Sequence, residues 1–306
     1  LVTAHRYPAA RLIYARYEVR DEKNRSYGVV PLLPFSTERF EKTNVVGVPL
    51  NVMHHRSCLT DAGYFDTSAP MRHHKCEDWE FWLRIADHTT VTGIPEVLGT
   101  YRIHGKNQFL GTDWQRTHVY LVHKRLHYHA RRKKLSGYPF LTVFDPWLQA
   151  EKGAHWRKLT RFALVQVPAT QRTPLSLFFT AMEYFTTGQW QPAAEGFTHL
   201  IARHPFLSSL SPAEQGVLFL RRAQCALGIG DLPGAHHFLQ KAIARDPFDP
   251  DTNAELAKIY LRLNRVAPFL QILRRGHLLP YIVQDLQGLY AFSRGSFAVA
   301  AEHFRK

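Results

Sequence analysis

Trp79, Trp82, Leu83 and Ala86 recur at i, i+3, i+4 and i+7, the stripe of an amphipathic helix with one buried face. Glu77 and Asp78 fall in its first turn, where the helix dipole favours negative charge, so both are expected to stay ionised at neutral pH. An ionised carboxylate at the lip of a buried helix can accept a proton from a hydroxyl, although acids are also common there simply as helix-start residues. The apolar run from Ala10 to Val19 reads as a strand, followed by a polar turn from Asp21 to Ser26. An extended loop from Pro31 to Phe35 leads to Ser36 or Thr37, either of which can cap a short helix through Glu38, Phe40 and Lys42. Asn44 to Pro49 is a turn region around Gly47, and Asn51 to His54 is the strand after it. Thr67 to Lys75 reads as a loop, and Ile94 to Leu98 as a further strand.

Downstream, Trp114 to Lys134 predicts a long basic helix, stopped by Ser136 and Gly137. Such a helix can lie on a membrane surface, or it can be a solvated helix packed on its own domain. Phe140 to Pro168 carries apolar residues without a motif. The remainder repeats itself. Ala181, Tyr184, Gly188, Ala193 and Phe197 recur as Ala223, Ala226, Gly230, Ala235 and Leu239, and partially as Ala257, Tyr260 and Asn264, then Gly288, Ala291, Gly295, Ala300 and Phe304. Gly230 and Asn264 are 34 positions apart (264 − 230), whereas Gly188 and Gly230 are 42 apart (230 − 188), so the first connection is longer. Small residues let paired helices approach, and a glycine ends the first helix of each pair. Such pairs bury their apolar faces against their neighbours.

A chain of 306 residues suggests about two domains. Hydrophobic residues at 45% and charged residues at 21% are those of a globular protein rather than a disordered one. No apolar run approaches the roughly 18 residues of a membrane span, and no signal peptide is visible at Leu1 to Arg6. Cys58, Cys76 and Cys225 are too scattered for a disulfide framework, which fits a reducing cytoplasm, with the inner membrane face as the site of any peripheral contact. The net charge of +14 favours polyanions: nucleic acid, acidic lipid or phosphorylated substrates. Without a zinc spacing or an RNA-recognition signature, nucleic acid is not the expected partner. The histidine pairs His54-His55 and His73-His74 are not expected to form a metal site: adjacent residues on a strand face opposite ways, which separates His54 from His55, and His73 and His74 lie in a loop-like stretch and are expected to be solvated.

Four stretches in order carry a resemblance: Asn51-Val52-Met53-His54, Gly63-Tyr64-Phe65-Asp66, Cys76-Glu77-Asp78 opening an Asp-Trp-x-x-Trp-Leu-Arg helix, and Tyr101-Arg102-Ile103-His104. Over roughly residues 8 to 108 the chain resembles the C-terminal half of a family 2 glycosyltransferase with the GT-A fold, a Rossmann-like α/β architecture. Residues 172 to 306 resemble tetratricopeptide repeats. The resemblance implies three segments: 1–112, the C-terminal half of the transferase domain; 113–171, a helical linker; and 172–306, an all-α repeat domain. It implies transfer of a sugar, with inversion, from a nucleotide-diphosphate donor to the hydroxyl of a glycan, lipid-linked or protein acceptor. Asp78 is then the catalytic base, with Glu77 and Trp79 shaping the acceptor side. Arg102 pairs with phosphate or braces Glu77 or Asp78. Gly47, in a loop where glycine lets backbone approach the donor sugar, is equally a structural turn glycine. His104 is one ligand to a divalent ion, Mn²⁺ or Mg²⁺, or else a surface histidine after a strand. The family's Gly-rich first turn and Asp-x-Asp metal motif are not found, so the sequence reads as a piece of a longer enzyme, itself catalytically silent. The rival expectation is a scaffold whose repeats bind a peptide, with a remnant transferase domain.

Overall fold

The computed structural model describes residues 8–107, 114–131, 138–150, 160–165, 167 and 169–305. The end of the predicted basic helix beyond Arg131 and most of the stretch from Ala150 to Pro168 lie outside the described residues. The fold is mixed α/β: one four-stranded sheet and many helices. The chain divides into two compact units, Leu1–Thr112 with Phe248–Lys306, and Asp113–Pro247.

The first unit is built on β1 (Ala10–Arg20). Its partners are β2 (Ser26–Val29) and β3 (Val52–His54), both antiparallel, and β4 (Thr90–Arg102), parallel along its whole length. Leu12, Ile13, Tyr14 and Ala15 are all buried, so both faces of β1 are covered at that level. Pro95 is tolerated inside β4 because the register jumps there: Ala15 pairs with Ile94 and Arg16 with Val97. Four short helices flank the sheet: α1 (Thr37–Lys42), α2 (Ser57–Ala62), α3 (Ala69–His74) and α4 (Glu77–Ala86). Ser36 caps α1, its hydroxyl accepting from the Arg39 N–H at 3.1 Å.

Two local expectations need correction. The stretch from Thr67 to Lys75 is not a loop: α3 occupies it, capped by the Ser68 hydroxyl and ended by Lys75 in the left-handed conformation (φ 53°). The helix α4 is not buried on one face only. Trp79 to Leu83 and Ile85 are all buried, while Ala86 is half-exposed. Glu80 fits inside because Arg84, one turn on, pairs with it at 2.9 Å and also donates to the Ala62 and Tyr64 carbonyls. Phe81 is covered by Phe65 (ring centroids 4.4 Å) and His54 (5.5 Å).

The second unit contains α5 (Trp114–Arg131), α6 (Phe140–Ala150), α7 (Ala169–Thr186), α8 (Trp190–Ala202), α9 (His204–Ser209), α10 (Pro212–Gly228) and α11 (Leu232–Arg245). Phe144, Phe178, Phe197 and Met182 sit at the centre of its core. Asp145 of α6 and Arg221 of α10 form a buried two-point ion pair, 2.5 and 2.6 Å. The remaining helices, α12 (Pro250–Arg262), α13 (Val266–Arg274), α14 (Pro280–Ser293) and α15 (Phe297–Arg305), belong to the first unit. There Pro280 rests on Gly28, and Lys42 reaches Asp249 at 2.8 Å.

The repeats appear as four helix pairs: α7/α8, α10/α11, α12/α13 and α14/α15. Each turns at a left-handed residue: Gly188, Gly230, Asn264 and Gly295. The same two hydrogen bonds close every turn. The left-handed residue's N–H reaches the carbonyl three back (Phe185, Leu227, Leu261, Phe292), and the next N–H reaches the carbonyl five back (Tyr184, Ala226, Tyr260, Ala291). The longer first connection holds the extra helix α9. Ala193, Ala235 and Ala300 are buried in the second helices of three pairs; at that place the third pair has the buried Phe269. Among the described residues, no helix is long and apolar enough to cross a membrane.

Candidate functional site

The start of α4 is shaped by two residues. Lys75 turns the chain through a positive φ, and Cys76, buried with its thiol 3.6 Å from the Met71 sulfur, stands at the N-cap. Cys76 offers no side-chain cap, and the Asp78 carboxylate instead accepts from the Trp79 N–H at 2.6 Å. Burial pushes the Asp78 carboxyl up to about 6; the backbone N–H groups of Trp79 and of Asp78 itself pull the other way, and the neighbouring Glu77 adds to the rise. The helix dipole alone gives the wrong direction for this carboxyl, because desolvation outweighs it. At pH 7 Asp78 is still ionised, roughly nine parts in ten for such a value. It is a carboxylate placed near the operating pH of a general base.

Tyr101, near the end of β4, lies close enough for the Asp78 charge to help raise its phenol, after burial as the larger cause. Its hydroxyl accepts from the Asn107 side chain at 3.3 Å, and its ring meets the edge of Tyr17 (centroids 6.4 Å, 74° between planes). Tyr17 is pushed up to about 12, by burial first and by Tyr101 second. Over Tyr17 sits Gly47. A Cβ there would come within 2.8 Å of the Tyr17 ring, and its φ of +98° is one that side chains rarely adopt, so glycine is required twice over. Asn44 clamps Gly47 from both sides, donating to its carbonyl at 2.7 Å and accepting from its N–H at 3.1 Å. Asn51 is buried and satisfied, donating to the Ala15 and Val46 carbonyls (2.6 and 3.0 Å) and accepting from the Val48 N–H (3.0 Å).

Past β4 the chain turns tightly. Asn107 organises the turn, accepting from the His104 N–H and donating to the Arg102 carbonyl at 3.1 Å. The exposed His104 ring accepts the Lys106 N–H at its Nδ1, 3.2 Å away. A backbone N–H can only donate, so neutral His104 in this turn carries its proton on Nε2.

The structure therefore links Asp78, Tyr101, Tyr17 and Gly47 on one side, and Tyr101, Asn107 and His104 on the other. Glu77 is half-buried beside Asp78. Trp79 is in the core, its indole N–H spent on the Phe40 carbonyl at 3.0 Å. Arg102 is exposed at the end of β4, in register with Arg20, and pairs with neither Glu77 nor Asp78. The residues present do not make a metal centre by themselves. Among the described residues, no three His, Cys, Asp or Glu side chains converge on a common point. The sequence reading passed over Tyr17, Asn44, Asn51 and Asn107; only the Asn44–Gly47 spacing, a side-chain turn before a glycine, signalled any of them. No family model, no curated protein and no solved structure matches this chain.

Proposed function

We propose that this chain carries the acceptor side of an inverting glycosyltransferase of the family 2, GT-A type, with Asp78 as its base. The observation that carries the reading is the half-buried Asp78 carboxylate at the first turn of α4, pushed by burial to about 6 with no cation beside it among the described residues. In the reaction, the acceptor hydroxyl gives its proton to Asp78 while its oxygen forms the new bond to the anomeric carbon. The bond from that carbon to the nucleoside diphosphate breaks, and the diphosphate leaves with the electron pair. Glu77 lines the acceptor side next to Asp78. Trp79 acts from beneath, by fixing α4 against Phe40. The loop at Gly47 offers backbone to the sugar donor, and the exposed Arg102 guanidinium is available to phosphate. No step is routed through Mn²⁺ or Mg²⁺, since His104 alone cannot hold one.

A second reading rests on the four identically turned helix pairs: a tetratricopeptide-like scaffold that binds a peptide, in the cytoplasm or at the inner face of a membrane. One comparison separates the two. Nucleotide-sugar transfer is measured in the full-length natural protein and in its Asp78→Asn variant. A loss of about 10²- to 10⁴-fold in kcat is expected for removal of a general base. Unchanged kcat overturns the assignment of Asp78, and no transfer with any nucleotide sugar by the full-length protein favours the scaffold.

A further inference from the structure

On α5, His123 and His127 are one turn apart, the spacing that places two side chains on the same helix face. Their rings lie with centroids 4.4 Å apart, and their Nε2 atoms face each other at 3.2 Å, one donating to the other. His127 is held from behind by Phe162, 4.5 Å between centroids. The pair is exposed. It belongs to the other compact unit from the Asp78 site.

Two ring nitrogens bound to one ion at about 2.0–2.1 Å, at angles between square and tetrahedral, stand roughly 2.9–3.4 Å apart. The observed spacing falls inside that window. For both lone pairs to face one ion, the proton shared between the Nε2 atoms has only to move to an Nδ1, which leaves both rings neutral. Neither of the other histidine pairs singled out in the sequence offers this. His73 and His74 are adjacent, with ring centroids 5.2 Å apart and edge to face, and His55 turns its Nδ1 to the Ser57 hydroxyl.

We propose that His123 and His127 form a two-point binding site for a late first-row transition ion: Cu²⁺, Ni²⁺ or Zn²⁺. The donor set selects the class. Two imidazoles, with no carboxylate joining them among the described residues, suit these ions and not Mg²⁺ or Ca²⁺, which need several oxygens. The +14 charge of the chain also disfavours cations held by charge alone, so binding rests on the imidazole lone pairs. The ion bridges one turn of α5 and strengthens it.

The test is titration of the whole chain with Cu²⁺, followed by electron paramagnetic resonance, in the native protein and in the double variant His123→Gln/His127→Gln. Glutamine is a good helix former, so α5 should keep its circular dichroism signal. The native chain should bind one ion most tightly, with the hyperfine pattern of two imidazole nitrogens, and the double variant should bind it at least 10-fold more weakly and lose that pattern. A parallel titration with Mg²⁺ should show no uptake at the pair. Native-like affinity and spectrum in the double variant would place the tightest ion on other histidines and overturn the site, as would the absence of any Cu²⁺ uptake by the native chain at ~100 μM.

Discussion

Two aspartates begin helices in the same compact unit, and their carboxyls are driven in opposite directions. Asp249 caps α12, and burial opposes its ionisation. The Lys42 ammonium at 2.8 Å, with hydrogen bonds from the Thr252 hydroxyl (2.6 Å) and N–H (2.8 Å), outweighs that and lowers it to about 2. Asp78 at the start of α4 meets the same kind of helix dipole and a comparable loss of water. Its backbone N–H groups pull it down, but burial is the larger cause and Glu77 adds to it, so with no cation beside it among the described residues it rises to about 6. The dipole is common to both and decides neither. The cation does: at Asp249 the Lys42 ammonium outweighs burial and makes a structural carboxylate, and at Asp78 burial prevails and keeps the carboxyl near neutrality where it can move protons.

The largest expected effect concerns the reactive member of the pair. Asp78→Asn keeps size and polarity and removes the proton acceptor, so kcat for glycosyl transfer should fall by about 10²- to 10⁴-fold while donor binding changes little. Glu77→Gln should cost less in kcat and more in acceptor KM. Steady-state kinetics on both variants decide between the two acids, and the reverse ranking would exchange their roles.

Next in size is removal of the cation that makes Asp249 structural. Lys42→Met leaves that carboxylate buried and unpaired, and should destabilise the chain by about 3–5 kcal/mol in urea unfolding. Asp249 should then titrate far above its present value of about 2. The double change Lys42→Met with Asp249→Asn should recover much of the loss. If Lys42→Met alone is neutral, the ion pair is not what holds α1 to the start of α12.

The two carboxyls should also pull stability in opposite directions with pH. The folded pKa of Asp249 lies below its ordinary value of 3.8, so its stabilisation is complete above that value and is lost as pH falls through about 2. The folded pKa of Asp78 lies above 3.8, so the folded state holds a proton that the unfolded chain has released, and stability declines as pH rises from about 4 through about 6. Asp78→Asn should therefore stabilise the chain by about 1–3 kcal/mol at pH 7, and hardly at all at pH 4. Equal effects at both pH values would show that the Asp78 carboxyl is not raised.

How much of this was legible beforehand depends on how local each feature is. The helix α4 was readable from its tryptophan spacing, and the turns of the repeat pairs from Gly188, Gly230, Asn264 and Gly295, because a left-handed turn selects for Gly or Asn within a few residues. The helix α3 was missed because its six residues around Pro70 are too few to show a period. The ion pair of Lys42 with Asp249 joins residues 207 apart, and no local pattern can announce it. The same holds for the pKa of Asp78, which is set first by what buries it, with the neighbouring Glu77 only adding to the rise. Asn107, which pins the His104 turn and touches Tyr101, follows the Tyr-Arg-x-His stretch by three residues without any signal of its own.

The smallest expected effect separates charge from hydrogen bonding at Asp249. Thr252 gives that carboxylate two bonds, from its hydroxyl at 2.6 Å and its N–H at 2.8 Å, and its side chain is buried. Thr252→Val removes only the hydroxyl and keeps the shape, the backbone bond and the Lys42 contact. The lost bond ends on a charged acceptor, so the cost should be about 1.5–3 kcal/mol, below that of Lys42→Met. Asp249 should rise from about 2 but stay below its ordinary 3.8, because the ammonium remains. Carboxyl titration by NMR, with urea unfolding at pH 7, reads both quantities. A larger loss than for Lys42→Met would make hydrogen bonding, not the ammonium, the cause of the depression, and the contrast with Asp78 would then rest on donors rather than on charge.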